Sequence, residues 1–385
     1  MDYQSKWKII EELGEGGQGK VYRVMDLQKF TNIIQLPNVI QILSSNSNVS
    51  AYEKFIEKFG EIVLDFVRRD YPNNQGALKI LHQPKDARDF ERAKERIERE
   101  IEAMTNLSHP NLLKILDADD DSKWFVSQYH FRGTLANNLN LFQGNISSAL
   151  KAFRPLVEGV SLIHEKGYIH RDIKPQNIFL VSSDNLILGD FGIVFFQDPQ
   201  HTRISDTYEN VGSRDWMPGW ATGMRIEDLK PSFDLFCLGK VLWSMISGRT
   251  FLRLWYYDYS DFNLEFIFPT NRFMRLVNKL LSKCVVEHEE QCIKNAITLL
   301  EEIDKIQSIV EENASLIDPK LDLLCMVCRI GHYVNLEKKD SNVVYNFGLR
   351  AASPHSLKIF SCDYCGNVQI FDFQNSKTPT LWKED

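Results

Sequence analysis

The stretch Ile169-His170-Arg171-Asp172-Ile173-Lys174-Pro175-Gln176-Asn177 sets a carboxylate, an ammonium and an amide at fixed intervals, and Asp190-Phe191-Gly192 follows it. Phosphoryl transfer from a nucleotide requires groups of these types. One carboxylate orients the attacking hydroxyl and a lysine neutralises charge on the moving phosphoryl group. An amide and a second carboxylate hold magnesium. Asp172, Lys174, Asn177 and Asp190 are the candidates for those roles. Asp-Phe-Gly alone is three common residues and carries little weight; the longer stretch carries much more.

Those groups need a scaffold that brings a nucleotide to them, and the chain offers its parts in order. It opens with Leu13-Gly14-Glu15-Gly16-Gly17-Gln18-Gly19-Lys20-Val21, a G-x-G-x-x-G-x-V loop. Glycines Gly14, Gly16 and Gly19 let the backbone approach phosphates with its N–H groups facing them. A dinucleotide fingerprint would need a helix directly after the glycines and an acid about 20 residues on. Here Val21 to Met25 is strand-like and Val39 stands near the acid's place, which disfavours that alternative. Gly76-Ala77-Leu78-Lys79-Ile80 is a second strand with a lysine. A strongly helical run from Asp89 to Leu107 follows, with Phe90, Ala93, Ile97, Ile101 and Met104 at helical spacing. Trp124-Phe125-Val126-Ser127-Gln128-Tyr129-His130 reads as an apolar strand entering a linker.

His-Arg-Asp-x-x-x-x-Asn, Asp-Phe-Gly, the glycine loop and the Gly-Ala-Leu-Lys strand together resemble the eukaryotic-type (Hanks-type) protein kinase family. The resemblance implies an α+β, bilobal fold with a small β-rich lobe and a large helical lobe. It implies that Lys79 holds the α/β-phosphates of ATP, and that Val21 and Ala77 cover the adenine ring. The backbone of Gln128 and His130 would read the adenine edge, with Ser127 at the gatekeeper place. Glu95, Glu98, Glu100 and Glu102 compete to pair with Lys79; the match of Arg99-Glu100-Ile101 to the family's helix pattern selects Glu100. Asp172 would be the catalytic base or hydroxyl-orienting group, Lys174 would stabilise the transferring phosphoryl, and Asn177 and Asp190 would bind Mg2+. The Lys174 position implies serine or threonine acceptors. The resemblance also assigns Asp234, in Pro231-Ser232-Phe233-Asp234, to tying down the catalytic-loop backbone.

The pattern is broken in one place. Asp215-Trp216-Met217-Pro218-Gly219-Trp220 should contain Ala-Pro-Glu, and Gly219 takes the glutamate's position. The late arginine that pairs with that glutamate is replaced by Cys292. Losing one end of a buried ion pair costs roughly 3–5 kcal/mol, whereas replacing both ends by uncharged groups can be neutral. The double loss therefore reads as a coherent substitution. A catalytically silent pseudokinase scaffold would normally lack one of Lys79, Asp172, Asn177 or Asp190. A small-molecule kinase would normally lack Lys174 and the long hydroxyl-rich segment from Asp190 to Pro218, which holds Thr202, Ser205, Thr207, Tyr208 and Ser213.

The 385 residues divide unevenly. The kinase resemblance covers 7–309, interrupted by an insertion at 27–75 where such kinases have a short turn. Ser50-x-x-Glu53 is a capping box, and Phe55, Phe59, Ile62, Val63, Phe66 and Val67 would line one face of an inserted helix. Residues 310–320 read as a linker, and 321–385 as a zinc-ribbon-like β module. There Cys325-Met-Val-Cys328 and Cys362-Asp-Tyr-Cys365 offer four thiolates, enough for a tetrahedral Zn2+ shell, with disulfides or a redox pair as alternatives. His332 and His355 read as surface histidines, since four sulfurs close the shell. Cys237, Cys284 and Cys292 lie in helical segments and read as buried small hydrophobes.

The formal net charge of −7 disfavours nucleic acid or an anionic membrane as partner, and the 321–385 module carries seven basic against seven acidic residues. No apolar run reaches membrane-spanning length and Met1 to Lys8 lacks a signal-peptide core. The expected partners are a protein substrate and, for trans-autophosphorylation, a second copy of the chain. Free thiols and ATP chemistry fit the cytoplasm.

Overall fold

The computed structural model describes residues 3–15, 19–28, 74–81, 87–121, 123–191, 195–196, 215–225, 228–313, 323–336 and 357–372. In chain order the elements are β1 (Trp7–Glu15), β2 (Gly19–Asp26), β3 (Gln75–Leu81), α1 (Ala87–Asn106), β4 (Ile115–Ala118) and β5 (Trp124–Gln128). Then come α2 (Ile146–Glu165), β6 (Tyr168–Ile169), β7 (Ile178–Ser182), β8 (Asn185–Leu188), β9 (Phe195–Phe196) and α3 (Ser232–Ser247). The chain continues through α4 (Leu264–Ile267), α5 (Met274–Cys284), α6 (Ala296–Asn313), β10 (Tyr333–Asn335), β11 (Leu357–Cys362) and β12 (Val368–Asp372). A β-rich N-terminal sheet is followed by a helical region, as the α+β reading expects. The capping box and apolar face of the insertion lie outside the described residues.

Two compact units divide the chain. The first holds 1–138, 159–214 and 223–230. Its five-stranded antiparallel sheet runs β1-β2-β3-β5-β4. Strand alternation sends successive side chains to opposite faces. One face is apolar: Trp7, Val24, Leu78, Trp124 and Val126 form its core, with Tyr22 and Ile80 against them. The other face collects Val21, Lys79 and Phe125, which stand opposite one another across β2, β3 and β5, with Ala77 opposite Ser127. So Lys79 stands on the face opposite that packed core.

Helix α1 buries Ile97, Glu100, Ala103 and Met104, and Leu107 is buried just beyond its end. Ile101, expected on that face, is only partly buried, and Glu100 takes the inward position instead. Two hairpin-like pairs carry the catalytic loop, β6 with β9 and β7 with β8. Asn111 anchors them: its Nδ2 donates to Leu186 O at 2.8 Å, and Leu188 N donates to its carbonyl at 2.8 Å.

The second unit holds 139–158, 215–222 and 231–385. Every residue of α3 is buried, which explains its largely apolar sequence. Gly248, at φ 72°, ends it with its N–H on Ser244 O. Helix α6 runs to Asn313 and so continues past residue 310, where the linker was expected to begin. Ile306, Ile309 and Asn313 stay buried at helical spacing, and Asn313 Nδ2 donates to Ile309 O at 2.9 Å, so the last turn is held by packing. Strands β10, β11 and β12 form a three-stranded antiparallel sheet that carries the C-terminal cysteines. His355 lies outside the described residues.

Candidate active site

Lys79 rises from β3 between Val21 of β2 and Phe125 of β5. Its Nζ meets Glu100 Oε2 at 2.6 Å, with the two side chains 15% and 4% exposed. The ammonium also stands 5.6 Å from the Phe125 ring centre. Burial would lower the Lys79 pKa, but the carboxylates of Glu100 and Asp190 outweigh it and hold the ammonium above the ordinary lysine value. Burial lifts the Glu100 carboxyl, Lys79 pulls it back, and Asp190 adds to the lift. One ammonium thus serves two carboxylates. Of the four glutamates that competed for Lys79, Glu98 instead pairs at 3.8 Å with Lys94 on the exposed side of α1.

The catalytic loop is built around Asp172. Lys174 Nζ donates to its Oδ2 at 2.7 Å, and Asn177 Nδ2 donates to the same oxygen at 2.8 Å and to the Asp172 carbonyl at 2.9 Å. Oδ1 is buried and has no hydrogen-bond partner among the described residues. Two donors therefore lock one oxygen and leave the other to accept a hydroxyl. His170 braces the loop, with Nε2 3.1 Å from Gly189 O and its ring edge-on to Phe191 at 5.1 Å. Arg171 and Asp190 adopt left-handed backbone at φ 67° and 59°, a conformation non-glycine residues seldom hold. Such strain is typical of residues fixed for a task. Gly189 N donates to Asn177 O at 2.8 Å, which ties the residue before Asp190 to Asn177.

The sequence matches the protein kinase domain over residues 58–308. The chain belongs to the protein kinase family. Similar curated proteins include the serine/threonine-protein kinase KIN4 of Saccharomyces cerevisiae, 29% identical over 203 residues, which are 50% of this chain and 24% of that protein. The CBL-interacting serine/threonine-protein kinase 2 of Arabidopsis thaliana is 33% identical over 135 residues, 34% of this chain and 29% of its own length. The serine/threonine-protein kinase pkn2 of Myxococcus xanthus is 29% identical over 180 residues, 45% of this chain and 21% of its own. The chain thus spans less than a third of the length of each of these relatives.

A kinase fold implies ATP and Mg2+, and the residues present fit them. Asn177 commits its Nδ2 to Asp172, which leaves Oδ1 to offer a cation, and Asp190 is an exposed carboxylate beside it in the loop order. The two described glycines of the phosphate loop differ. A Cβ on Gly19 would fall 2.1 Å from Ile80 O, so strand packing alone requires that glycine. A Cβ on Gly14 would meet nothing within 4 Å, so packing does not require that glycine. Gly16 lies outside the described residues.

The kinase hinge follows β5. Gln128 ends the strand opposite Gly76, with its N–H on Lys114 O at 3.0 Å. The His130 ring packs 5.4 Å from Phe179, and its buried Nε2 has no hydrogen-bond partner among the described residues. Burial lowers its pKa to about 4. The hydroxyls Thr202, Ser205, Thr207, Tyr208 and Ser213 lie outside the described residues.

The seven cysteines separate as their positions suggested. Cys237, Cys284 and Cys292 are buried to 2% exposure or less, and burial pushes the Cys292 thiol up to about 12. The other four converge, with all sulfurs within 4.8 Å of one another. Cys325 Sγ is 3.8 Å from Cys365 Sγ, and Cys328 Sγ is 3.6 Å from Cys362 Sγ. Four sulfurs about 2.3 Å from one zinc would be separated by about 3.8 Å, so the cluster has the size of a zinc shell. Backbone N–H groups of Gly331, Tyr364 and Cys365 each point at a cysteine sulfur from 3.4 Å, as thiolates would require. A Cβ on Gly331 would lie 2.5 Å from Cys362 Sγ, which makes that glycine a condition of the arrangement. Sequence reading did not anticipate that this knuckle is fastened to the helices. Arg272 Nη2 lies 3.6 Å from Asp363 Oδ2, both side chains buried, and Lys305 Nζ sits 4.0 Å from the Tyr364 ring centre. Nothing in the spacing of those residues signals the contact.

Proposed function

We propose that the chain is an ATP-dependent serine/threonine protein kinase with a structural zinc site in its C-terminal module. The observation that carries the first half is the Asp172 carboxylate, one oxygen locked by Lys174 and Asn177 and the other buried and unpartnered among the described residues. Oδ1 accepts a hydrogen bond from the acceptor hydroxyl and aims its oxygen at the γ-phosphorus; the new P–O bond forms as the bond to ADP breaks. Lys174, 2.7 Å from the other carboxylate oxygen Oδ2, offsets the negative charge gathering on the transferring group. Lys79, fixed by Glu100, holds the α/β-phosphates. Mg2+, held by Asn177 and Asp190, would supply charge neutralisation on the nucleotide phosphates.

The lysine two residues after Asp172 and the serine/threonine-protein kinases among the relatives support serine and threonine as acceptors. We assign the kinase domain to 7–309, the insertion to 27–75 and the zinc module to 321–385. Self-phosphorylation by a second copy, at Ser205 or Thr207, belongs to the same reading. A reducing cytoplasm suits ATP chemistry together with the free thiols Cys237, Cys284 and Cys292. Among the described residues no helix is long and apolar enough to cross a membrane. The test is incubation of the purified chain with radiolabelled ATP, Mg2+ and a generic protein acceptor, followed by phosphoamino-acid analysis. Label on phosphoserine and phosphothreonine is expected. Label on phosphotyrosine alone, on a small molecule alone, or on nothing would overturn the proposal.

A further inference from the structure

The turn at 215–221, which precedes α3, has lost the family's ion pair, since Gly219 and Cys292 occupy the two charged positions. A Cβ on Gly219 would lie 3.0 Å from Trp255 Cζ3, so any larger residue there requires the indole to shift. Cys292 Sγ is buried against the carbonyls of Ser232 and Cys284, at 3.6 and 3.5 Å.

A different residue holds the turn. Lys240 lies in the middle of α3 and is 1% exposed. Its Nζ donates to the Asp215 carbonyl and lies 5.5 Å from the Trp216 ring centre and 5.7 Å from that of Phe236. One turn earlier Cys237 donates its Sγ to Trp216 O at 3.5 Å. The Trp220 ring stands edge-on to Phe233 and Phe236, both centres 6.4 Å away. Phe233, Phe236, Cys237 and Lys240 follow the i, i+3, i+4, i+7 spacing of one helix face. That face receives the turn.

Within a wholly buried helix, Asp234 and Lys240 are the charged residues. A buried ammonium is costly unless it is paired or hydrogen-bonded, and an apolar side chain would fill the space more cheaply. What lysine adds is a donor for a buried backbone carbonyl and a cation for the tryptophan face. Burial lowers its pKa to about 8, and the amine keeps an N–H for Asp215 O in either protonation form. We infer that Lys240 is a positioning residue that fixes the 215–221 turn to α3 in place of the family's glutamate–arginine pair. The inference rests on the kinase reading, in which this turn belongs to the platform that receives the protein acceptor.

The test uses the full chain with Lys240→Met, which keeps length and apolar bulk but removes the donor. Hydrogen exchange is followed by mass spectrometry on peptides covering 215–221, without nucleotide. Steady-state kinetics are run with a peptide acceptor and with ATP. Exchange at 215–221 should rise about tenfold or more, the equivalent of one hydrogen bond from a charged donor, with the β1–β5 sheet unchanged. Acceptor KM should rise by a similar factor while ATP KM stays within about twofold. Should Lys240→Met not fold, Trp216→Leu removes the ring from the turn side and should loosen the same peptides. Unchanged exchange at 215–221 in either folded variant, or a uniform rise across the whole chain, overturns the anchor. If the wild-type protein transfers no phosphate, the kinase reading fails, while the exchange measurement still decides the role of Lys240.

Discussion

Lys79 and Glu100 settle at the level of single residues what four competing glutamates left open. The 2.6 Å pair is buried while Glu98 and Glu102 are exposed, so the helix phase decides the choice. Glu100→Ala should cost about 3 kcal/mol of stability by stranding a buried ammonium. It should also lower kcat/KM for ATP by one to two orders of magnitude, roughly the effect of misplacing a phosphate ligand. Glu98→Ala, an exposed change, should stay within about 0.5 kcal/mol of wild type. Urea unfolding and initial rates measure both. His130 supplies a pH signature. Its folded pKa is about 4, below the ordinary histidine value of 6.5 that returns when the chain unfolds. A depressed folded value makes the native state the poorer proton acceptor, so stability present above pH 6.5 is lost as pH falls towards 4. The full difference is about 3 kcal/mol. Unfolding midpoints at about pH 7.5 and about pH 5, one on either side of the ordinary histidine value, should differ less in His130→Leu than in wild type; equal differences would remove His130 from the account.

At the level of elements, motif residues were legible because chemistry fixes their spacing. The loop from His170 to Asn177 and the lysine strand β3 stand where those motifs place them. Packing partners were less legible. The buried face of α1 carries Glu100 rather than Ile101, because the pairing of Glu100 with Lys79 outweighs an apolar stripe. Lys240 was a readable signal, a lone cation inside the apolar run of α3, whose use only the turn at 215–221 reveals. The contact of Arg272 with Asp363 had no sequence signal, since nothing local requires it. The four-cysteine cluster yields its own prediction. Purified protein should contain one zinc per chain, and a chelator should expose 323–372 to protease while the β1–β5 sheet keeps its protection. Structural zinc supplies much of the folding energy of such small units. Zinc-free protein with Cys325, Cys328, Cys362 and Cys365 paired as disulfides would contradict this.

For the whole molecule, the fold brings the Lys79–Glu100 pair, Asp172, Asn177 and Asp190 into one compact unit. The negative charge overall and the balanced charge of the C-terminal module favour protein over nucleic acid as acceptor. Incubation with Mg–ATP should place phosphate between Thr202 and Tyr208, because a phosphate brings roughly −1.5 to −2 charges that Arg171 could receive. Mass spectrometry checks it, and alanine at the modified position should lower activity; an unmodified loop in fully active enzyme would mean that no such switch operates. We propose that Asp172 orients the attacking hydroxyl while Asp190 holds metal. Initial rates of label transfer from radiolabelled ATP, with nucleotide binding measured in parallel, test it most directly on wild type, Asp172→Asn and Asp190→Ala. Asp172→Asn should bind ATP as wild type does and turn over at least about a hundredfold more slowly, since a positioned base contributes that much. Asp190→Ala should transfer nothing measurable. Wild-type transfer rates in either variant, in preparations free of other kinases, would contradict the account.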